Sequence, residues 1–230
     1  AGGDLSANIT RYVREGGAVL VASGPAFAGA QSLSRTPLRE ILPARPTLQV
    51  FEEPFLPRVT ELGQRHPVTA GLEQAAGLGP DGPLWGRWLR QIDVIPTSGN
   101  VVMKGVEDRP LLILDRVGEG RVALIASDHA WLWSRGYEGG GPQADLLRRL
   151  AHWLMREPDL EEEDLRATIA GGRLEIQRRS LSPEHPEIEV TLPSGKTQKV
   201  TLEPGRGGRA SATIAAPEGG LYRISDGRRT

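Results

Sequence analysis

The stretch PLLILDRVGEGRVALIAS, residues 110–127, restricts the fold more than any other part of the chain. Two apolar runs flank Gly118-Glu119-Gly120, whose glycines supply the positive φ of a tight reversal, so the stretch reads as a hairpin. A second apolar run, AVLVAS at 18–23, has the character of a strand buried on both faces of a parallel sheet. Ahead of it, DLSANITRYVREGG sets Leu5, Ile9, Tyr12 and Val13 at helical spacing, with Gly16 as a stop. A lone helix is an unusual start for such a fold, so an upstream strand from a longer parent is expected. After the hairpin, Pro142 suits a first helical position. Leu146, Leu147, Leu150, Trp153 and Leu154 then share one face of a helix that ends before Pro158. Residues 25–99 are broken by Pro and Gly, with a short helix expected at SLSRTPLREIL and loops near LPARP, EEPFLPR and LGPDGP.

The segment REPDLEEEDLR marks a boundary, because the adjacent acids Glu161 to Asp164 repel one another and suit solvent. Beyond it the hydrophobic period falls to two: Ile188, Val190 and Leu192 alternate with Glu187, Glu189 and Thr191. With ATIAGGRLEIQRR, TQKVTL, RASATIAA and GLYRIS, this predicts a small all-β unit of five or six strands, most simply a sandwich. The organisation expected is an α/β domain over 1–158, an acidic linker over 159–166 and a β-sandwich over 167–230.

Several functions are disfavoured by composition. The chain has 28 Lys and Arg against 29 Asp and Glu, a net charge of -1, and so no overall field for nucleic acid. It has no cysteine, which removes disulfides, thiolate metal sites and thiol nucleophiles. The histidines at 66, 129, 152 and 185 show no metal-ligand spacing, so no metal and no cofactor are expected.

The candidate site lies where the second hairpin run ends. Strands of an open α/β sheet present ligands at their carboxyl ends, and Ser127, Asp128 and His129 follow RVALIA. The plainer account has Asp128 capping a turn and His129 in a structural hydrogen bond. Ser23 closes AVLVAS ahead of Gly24-Pro25, as a nucleophile does at a strand-to-helix elbow. The G-x-S-x-G pattern is absent, with Val21 and Pro25 in the glycine places. A hydrolase using Ser23 or Asp128 with His129 is the alternative enzymatic reading. Gly139, Gly140 and Gly141 offer amides ahead of a helix and are candidate anion contacts. Trp131 and Trp133, with Arg135 behind them, and Trp85 and Trp88 around Arg87 are packing or binding groups, and a carbohydrate-binding module is a third class.

The order ITRYVREGGAVLVASGP, then RHPVTAGL, then GEGRVALIASDHAWLW resembles the class I glutamine amidotransferase-like superfamily, in its noncatalytic branch within large membrane-anchored bacterial proteins. The resemblance covers residues 4–157. It implies a flavodoxin-like layered α/β sheet, truncated at its N-terminus, with an immunoglobulin-like sandwich behind it. It also implies a catalytic cysteine at the elbow and a His-x-Glu pair after the last strand. Here the elbow reads Ser23-Gly24 and the pair reads His129-Ala130-Trp131, so glutamine hydrolysis by that route is not expected. The vestigial positions are then Ser23, Gly24, His129 and Trp131, and the binding candidates Asp128, Arg87, Trp133, Arg135 and Gly139 to Gly141. On this reading the chain is a non-catalytic binding or scaffold module of a bacterial cell-envelope protein, with the periplasmic side as its expected location. Its partner would be a protein or small ligand at the old cleft, and its parent would carry the membrane anchor.

Overall fold

A computed structural model describes residues 2–184 and 187–227, with side chains from Leu5 onward. It divides into two compact units, Ala1–Gln64 with Val68–Leu160, and Arg65–Pro67 with Glu161–Thr230.

In the first unit, α1 (Gly2–Arg14) leads into β1 (Ala18–Ala22). Next come β2 (Ala44–Phe51), β3 (Arg58–Val59), α2 (Leu72–Ala76), β4 (Leu78–Gly79), β5 (Gly82–Pro83), β6 (Gln91–Pro96) and β7 (Asn100–Lys104). The unit ends with β8 (Pro110–Val117), β9 (Gly120–Ile125), α3 (Trp131–Ser134) and α4 (Gln143–Leu154). The main sheet has the order β1-β9-β8-β7-β3. Val117 pairs with Gly120, so Gly118 and Glu119 form a two-residue hairpin turn, with Gly118 at φ 58°. The helix expected over SLSRTPLREIL is replaced by two short 3-10 turns, Leu33–Arg35 and Pro37–Glu40, because Pro37 cannot continue a hydrogen-bonded helix.

Alternation along β8 and β9 explains their continuous apolarity. Leu112, Leu114, Ala123 and Ile125 face a core shared with Leu146, Leu150 and Trp153 of α4. Ile113, Val122, Leu124 and Ala126 face the opposite core, with Val13 of α1, Phe27, and Ile92 and Val94 of β6. All six residues of β9 are buried. The turn before it and its second residue also anchor both long helices. The Glu119 amide donates to the Arg14 carbonyl at 3.0 Å, satisfying an acceptor that the end of α1 leaves open. Buried Arg121 donates from Nη1 to the Trp153 carbonyl at 2.5 Å and stacks 5.0 Å from that ring. The β2–β6 pair, with a bulge between Pro46 and Val50, joins the sheet through the Ile92 amide, which donates to the Ala126 carbonyl at 2.8 Å.

The flavodoxin-like, class I glutamine amidotransferase-like layered sheet is not what forms. Of the main sheet's pairings only β1 with β9 is parallel; β8–β9, β7–β8 and β3–β7 are antiparallel. A layered α/β sheet repeats parallel strands joined by crossover helices. Here the central strands are joined by a two-residue turn instead. Strand outweighs helix, 36% against 23%, and is divided among several small sheets. The apolar run of β9 is buried on both faces, whereas β1, equally apolar and expected to be buried, is an edge strand with Leu20 43% exposed; neither run reports the direction of pairing.

In the second unit, β10 (Asp164–Ala170), β11 (Arg173–Arg179), β12 (Ile188–Thr191), β13 (Thr197–Val200), β14 (Glu203–Pro204), β15 (Arg209–Ala215) and β16 (Arg223–Ser225) succeed one another along the chain. They form two antiparallel sheets, β10-β11-β15-β14 and β13-β12-β16. Both contribute to one aliphatic core, with Leu174 and Ile176 from β11, Ala210 from β15, and Ile188 and Val190 from β12. The acidic run lies inside this unit: Glu163 accepts from the Leu181 amide at 2.9 Å, and Glu162 lies 3.3 Å from the buried His66 ring. The immunoglobulin-like expectation also needs correction. Antibody domains of that type are centred on a disulfide against a buried Trp, a centre this unit lacks. The chain has no cysteine, and its last tryptophan is Trp153 in the first unit.

The hairpin tip tests how the first unit is held together. A Cβ at Gly120 would stand 1.8 Å from the Val13 carbonyl oxygen and 2.4 Å from that of Gly17. Gly120→Ala is expected to destabilise the unit by about 3 kcal/mol, because backbone must move to admit the methyl. Urea unfolding followed by tryptophan fluorescence measures this, and an unchanged midpoint would show that the tip is not packed on α1.

Candidate functional site

Because β1 and β9 run parallel, Ser23 and Ser127-Asp128-His129 emerge side by side at one end of the sheet. The Ser23 amide donates to the Ile125 carbonyl at 2.9 Å. Gly24 makes room for the acid, since a Cβ there would stand 2.9 Å from Asp128 Oδ2. At the same end β2 finishes and β6 begins, with Phe51 paired to Gln91. This brings in two residues to which the sequence pattern gives no clue. Arg90 donates from Nη1 to Asp128 Oδ2 at 3.2 Å and from Nη2 to Glu52 Oε1 at 3.1 Å. Ser127 Oγ donates to the Arg90 carbonyl at 2.6 Å and accepts from the His129 amide at 3.1 Å, so one hydroxyl fixes the backbone on both sides.

The His129 side chain is 15% exposed, with Nε2 3.7 Å from Asp128 Oδ1. Burial holds its pKa below the ordinary 6.5; Asp128 opposes that shift and Arg90 adds to it. The ring is therefore neutral at pH 7. Arg90 is held charged, chiefly by its hydrogen bond to Glu52. Trp131 stands beside the histidine, ring centroids 6.2 Å apart and nearly edge-on.

Among the described residues, five buried side-chain polar atoms have no hydrogen-bond partner: Ser23 Oγ, Trp88 Nε1, Arg109 Nε, Asp128 Oδ1 and His129 Nδ1. All five belong to residues at this end of the sheet. Ser23 follows β1, Asp128 and His129 follow β9, Trp88 precedes β6, and Arg109 precedes β8. The connection into β8 is also strained, with Glu107 at φ 47° and Asp108 at φ 63°.

Most of the other sequence candidates are engaged in packing or in ion pairs. Trp133 is 2% exposed, lies 4.9 Å from Trp85 and 5.0 Å from Trp88, and donates from Nε1 to the Gly86 carbonyl at 2.6 Å. Arg87 donates from Nε to Glu138 Oε2 at 2.9 Å, and the pair holds the Glu138 carboxyl down to about 2. The Gly139 and Gly140 amides donate to the carbonyls of Gly136 and Tyr137, while Gly141 lies so close to Trp133 that a Cβ would meet its ring at 2.5 Å. Arg135 is exposed, and its amide closes α3 on the Trp131 carbonyl at 3.2 Å. His152 is 3.7 Å from Glu157, and His185 lies outside the described residues. Among the described residues no three His, Cys, Asp or Glu side chains are grouped to hold a metal. A hollow of about 460 Å³ lies elsewhere, between α1 and residues 37–40, and the Arg14–Glu40 ion pair at 2.7 Å forms part of its lining. None of the five unpartnered polar atoms lines it.

The first unit is thus a mixed-sheet domain with a polar cluster at the shared carboxyl end of its one parallel pair. No protein-family model matches the chain, and no curated protein matches it. Among solved structures, Cytoplasmic Protein STM1381 from Salmonella typhimurium LT2 is 23% identical, with a TM-score of 0.53 over 66% of this chain and 60% of that one. Cytoplasmic Protein STM3548 from Salmonella typhimurium is 21% identical, with a TM-score of 0.51 over 65% and 59%. These likenesses show a shared fold, and the chain spans about three fifths of either protein's length. A β-galactosidase from Rahnella sp. R3 aligns with 91% of this chain and 30% of its own at 15% identity, with a TM-score of only 0.43. These neighbours and the strand pairings do not support the glutamine amidotransferase-like or immunoglobulin-like assignments. With them goes the reason for placing the chain in a membrane-anchored envelope protein. Among the described residues, no helix is long and apolar enough to cross a membrane.

His129 gives the site a pH signature. The folded state resists protonating this ring, whereas the unfolded chain protonates near 6.5. Its contribution to stability is therefore complete above pH 6.5 and is lost as pH falls through the lower folded value. Denaturant unfolding at a series of pH values should show a steeper loss below 6.5 in the wild type than in His129→Gln. A His129 proton resonance titrating at or above 6.5 would refute the buried neutral ring.

Proposed function

We propose that this end of the first unit's sheet is a small-ligand site and that the chain acts as a binding module. The observation that carries the reading is the cluster of unpartnered polar atoms on Ser23, Asp128 and His129. A buried polar group without a hydrogen bond costs about 1–3 kcal/mol, and a chain rarely gathers three of them at the ends of two neighbouring strands without a use. A guest that bonds these atoms recovers that cost on binding. Arg90, a partly exposed side chain, holds the other oxygen of the Asp128 carboxylate, Oδ2, at 3.2 Å and leaves Oδ1 unbonded.

The hydrolase reading fits less well. Nucleophilic catalysis needs a hydroxyl bonded to a base that is oriented by an acid. Ser23 Oγ bonds nothing, and Asp128 approaches Nε2 of His129 only at 3.7 Å, leaving Nδ1 unbonded. No relay runs from carboxylate through ring to hydroxyl.

Two measurements test the proposal. Ser23→Ala should unfold at the wild-type midpoint or be more stable by about 1 kcal/mol, since it deletes an unsatisfied hydroxyl. In a thermal-shift screen of neutral sugars, amines, amino acids and carboxylates, at least one class should raise the wild-type midpoint. At a hundredfold excess over Kd the gain is about 2.7 kcal/mol. Asp128→Asn with His129→Gln should abolish it. A screen without any response would sink the binding reading, and ester or amide turnover abolished by Ser23→Ala would establish the hydrolase.

A further inference from the structure

Resting on the binding-site reading above, we infer that the ligand is a neutral polyhydroxylated ring, a pyranose sugar, stacked on Trp131 with its hydroxyls bonded to Asp128, Ser23 and His129. The inference starts from the five tryptophans. Trp85, Trp88, Trp133 and Trp153 are each at most 6% exposed, whereas Trp131 is 51% exposed and stands at the polar cluster. An exposed indole face beside buried polar atoms is amphipathic in the way a sugar is, with C–H groups on one face of the ring and hydroxyls at its rim.

The charges and hydrogen-bonding capacities narrow the class. Asp128 Oδ1 only accepts, so the ligand must donate to it. The Ser23 hydroxyl both donates and accepts. The neutral His129 ring offers Nδ1 as donor or acceptor according to tautomer. Hydroxyl groups meet all three demands, while an ammonium group only donates and a carboxylate only accepts. Charge agrees. An anion would meet Asp128 and the exposed Glu52, and a cation placed at Asp128 would meet the guanidinium of Arg90, 3.2 Å from that carboxylate. A ligand without charge escapes both penalties.

The test uses methyl β-D-glucopyranoside, methyl β-D-galactopyranoside and methyl α-D-mannopyranoside, with choline and D-glucuronate as charged probes. Titration of the intact chain with at least one glycoside should change tryptophan fluorescence saturably, with a Kd of roughly millimolar size. Trp131→Ala, at an exposed position that leaves the core untouched, should weaken the affinity at least about tenfold, and Asp128→Asn by a similar factor. Trp131→Phe should restore part of the loss, because it keeps an aromatic face. A response to choline or D-glucuronate that depends on Asp128, with none to the glycosides, would overturn the sugar class and leave the site standing. Glycoside binding unchanged in Trp131→Ala would overturn it too. Silence from every probe, together with a silent thermal-shift screen, would remove sugar and site alike.

Discussion

The first unit depends on the burial of β9. Its side chains alternate between two apolar cores, one shared with α4 and one with α1 and β6, so neither face meets water. One backbone edge pairs with β1 and the other with β8, so its amides and carbonyls are satisfied in the sheet. Arg121 and the turn before it then fasten the ends of both long helices. A strand held on every side exits at a fixed point. Ser127, Asp128 and His129, just beyond that exit, are therefore placed by the sheet rather than by the loop, and the Ser127 hydroxyl locks them to Arg90. Rigid support of this kind is what a site needs if unsatisfied polar atoms are to stay unsatisfied instead of relaxing onto one another.

Stability and recognition pull in opposite directions at this end of the sheet. In the aromatic layer beneath it, Trp133 and Trp85 are hydrogen-bonded, while Trp88 Nε1 is left open. Above them, the residues after β1 and β9 leave donors and acceptors open. The strained Glu107-Asp108 connection lies at the same edge. Local rules that hold elsewhere in the chain are broken together here, which is where function is ordinarily found.

Much of the fold was legible because apolar period is a direct report of burial. The hairpin at 110–127, the helix carrying Leu146, Leu150 and Trp153, and the period-two strands after residue 160 each announce themselves. Pairing direction does not. AVLVAS and RVALIAS are as apolar in a mixed sheet as in a wholly parallel one, and the loops after them look alike in many folds. That is why they supported a family resemblance that the strand pairings and the solved neighbours overturn. The β2–β6 pair was hidden for a different reason. Pro46 and the bulge around Leu48, at φ 75°, disguise one strand, and QIDVIP is short and lies among prolines and loops. Arg90 and Glu52 were lost with those strands. The polar cluster at Ser23, Asp128 and His129 was visible by position, at the ends of the two best strands. That Trp131 and Trp133, two residues apart, point opposite ways follows from their spacing, but which of them meets solvent does not.

The single parallel pairing has a temporal consequence. Ala18 of β1 meets Arg121 of β9, so about a hundred residues must be synthesised before the first strand acquires its neighbour. At about 5–20 residues per second, a nascent chain carries AVLVA without a partner for several seconds after it leaves the ribosome. Non-local pairing of this kind also slows refolding of the finished chain. During that interval the segment is an apolar ribbon with open backbone on both edges, and its exposure to other chains in a crowded cell is set by the order of the sequence rather than by the final stability of the fold.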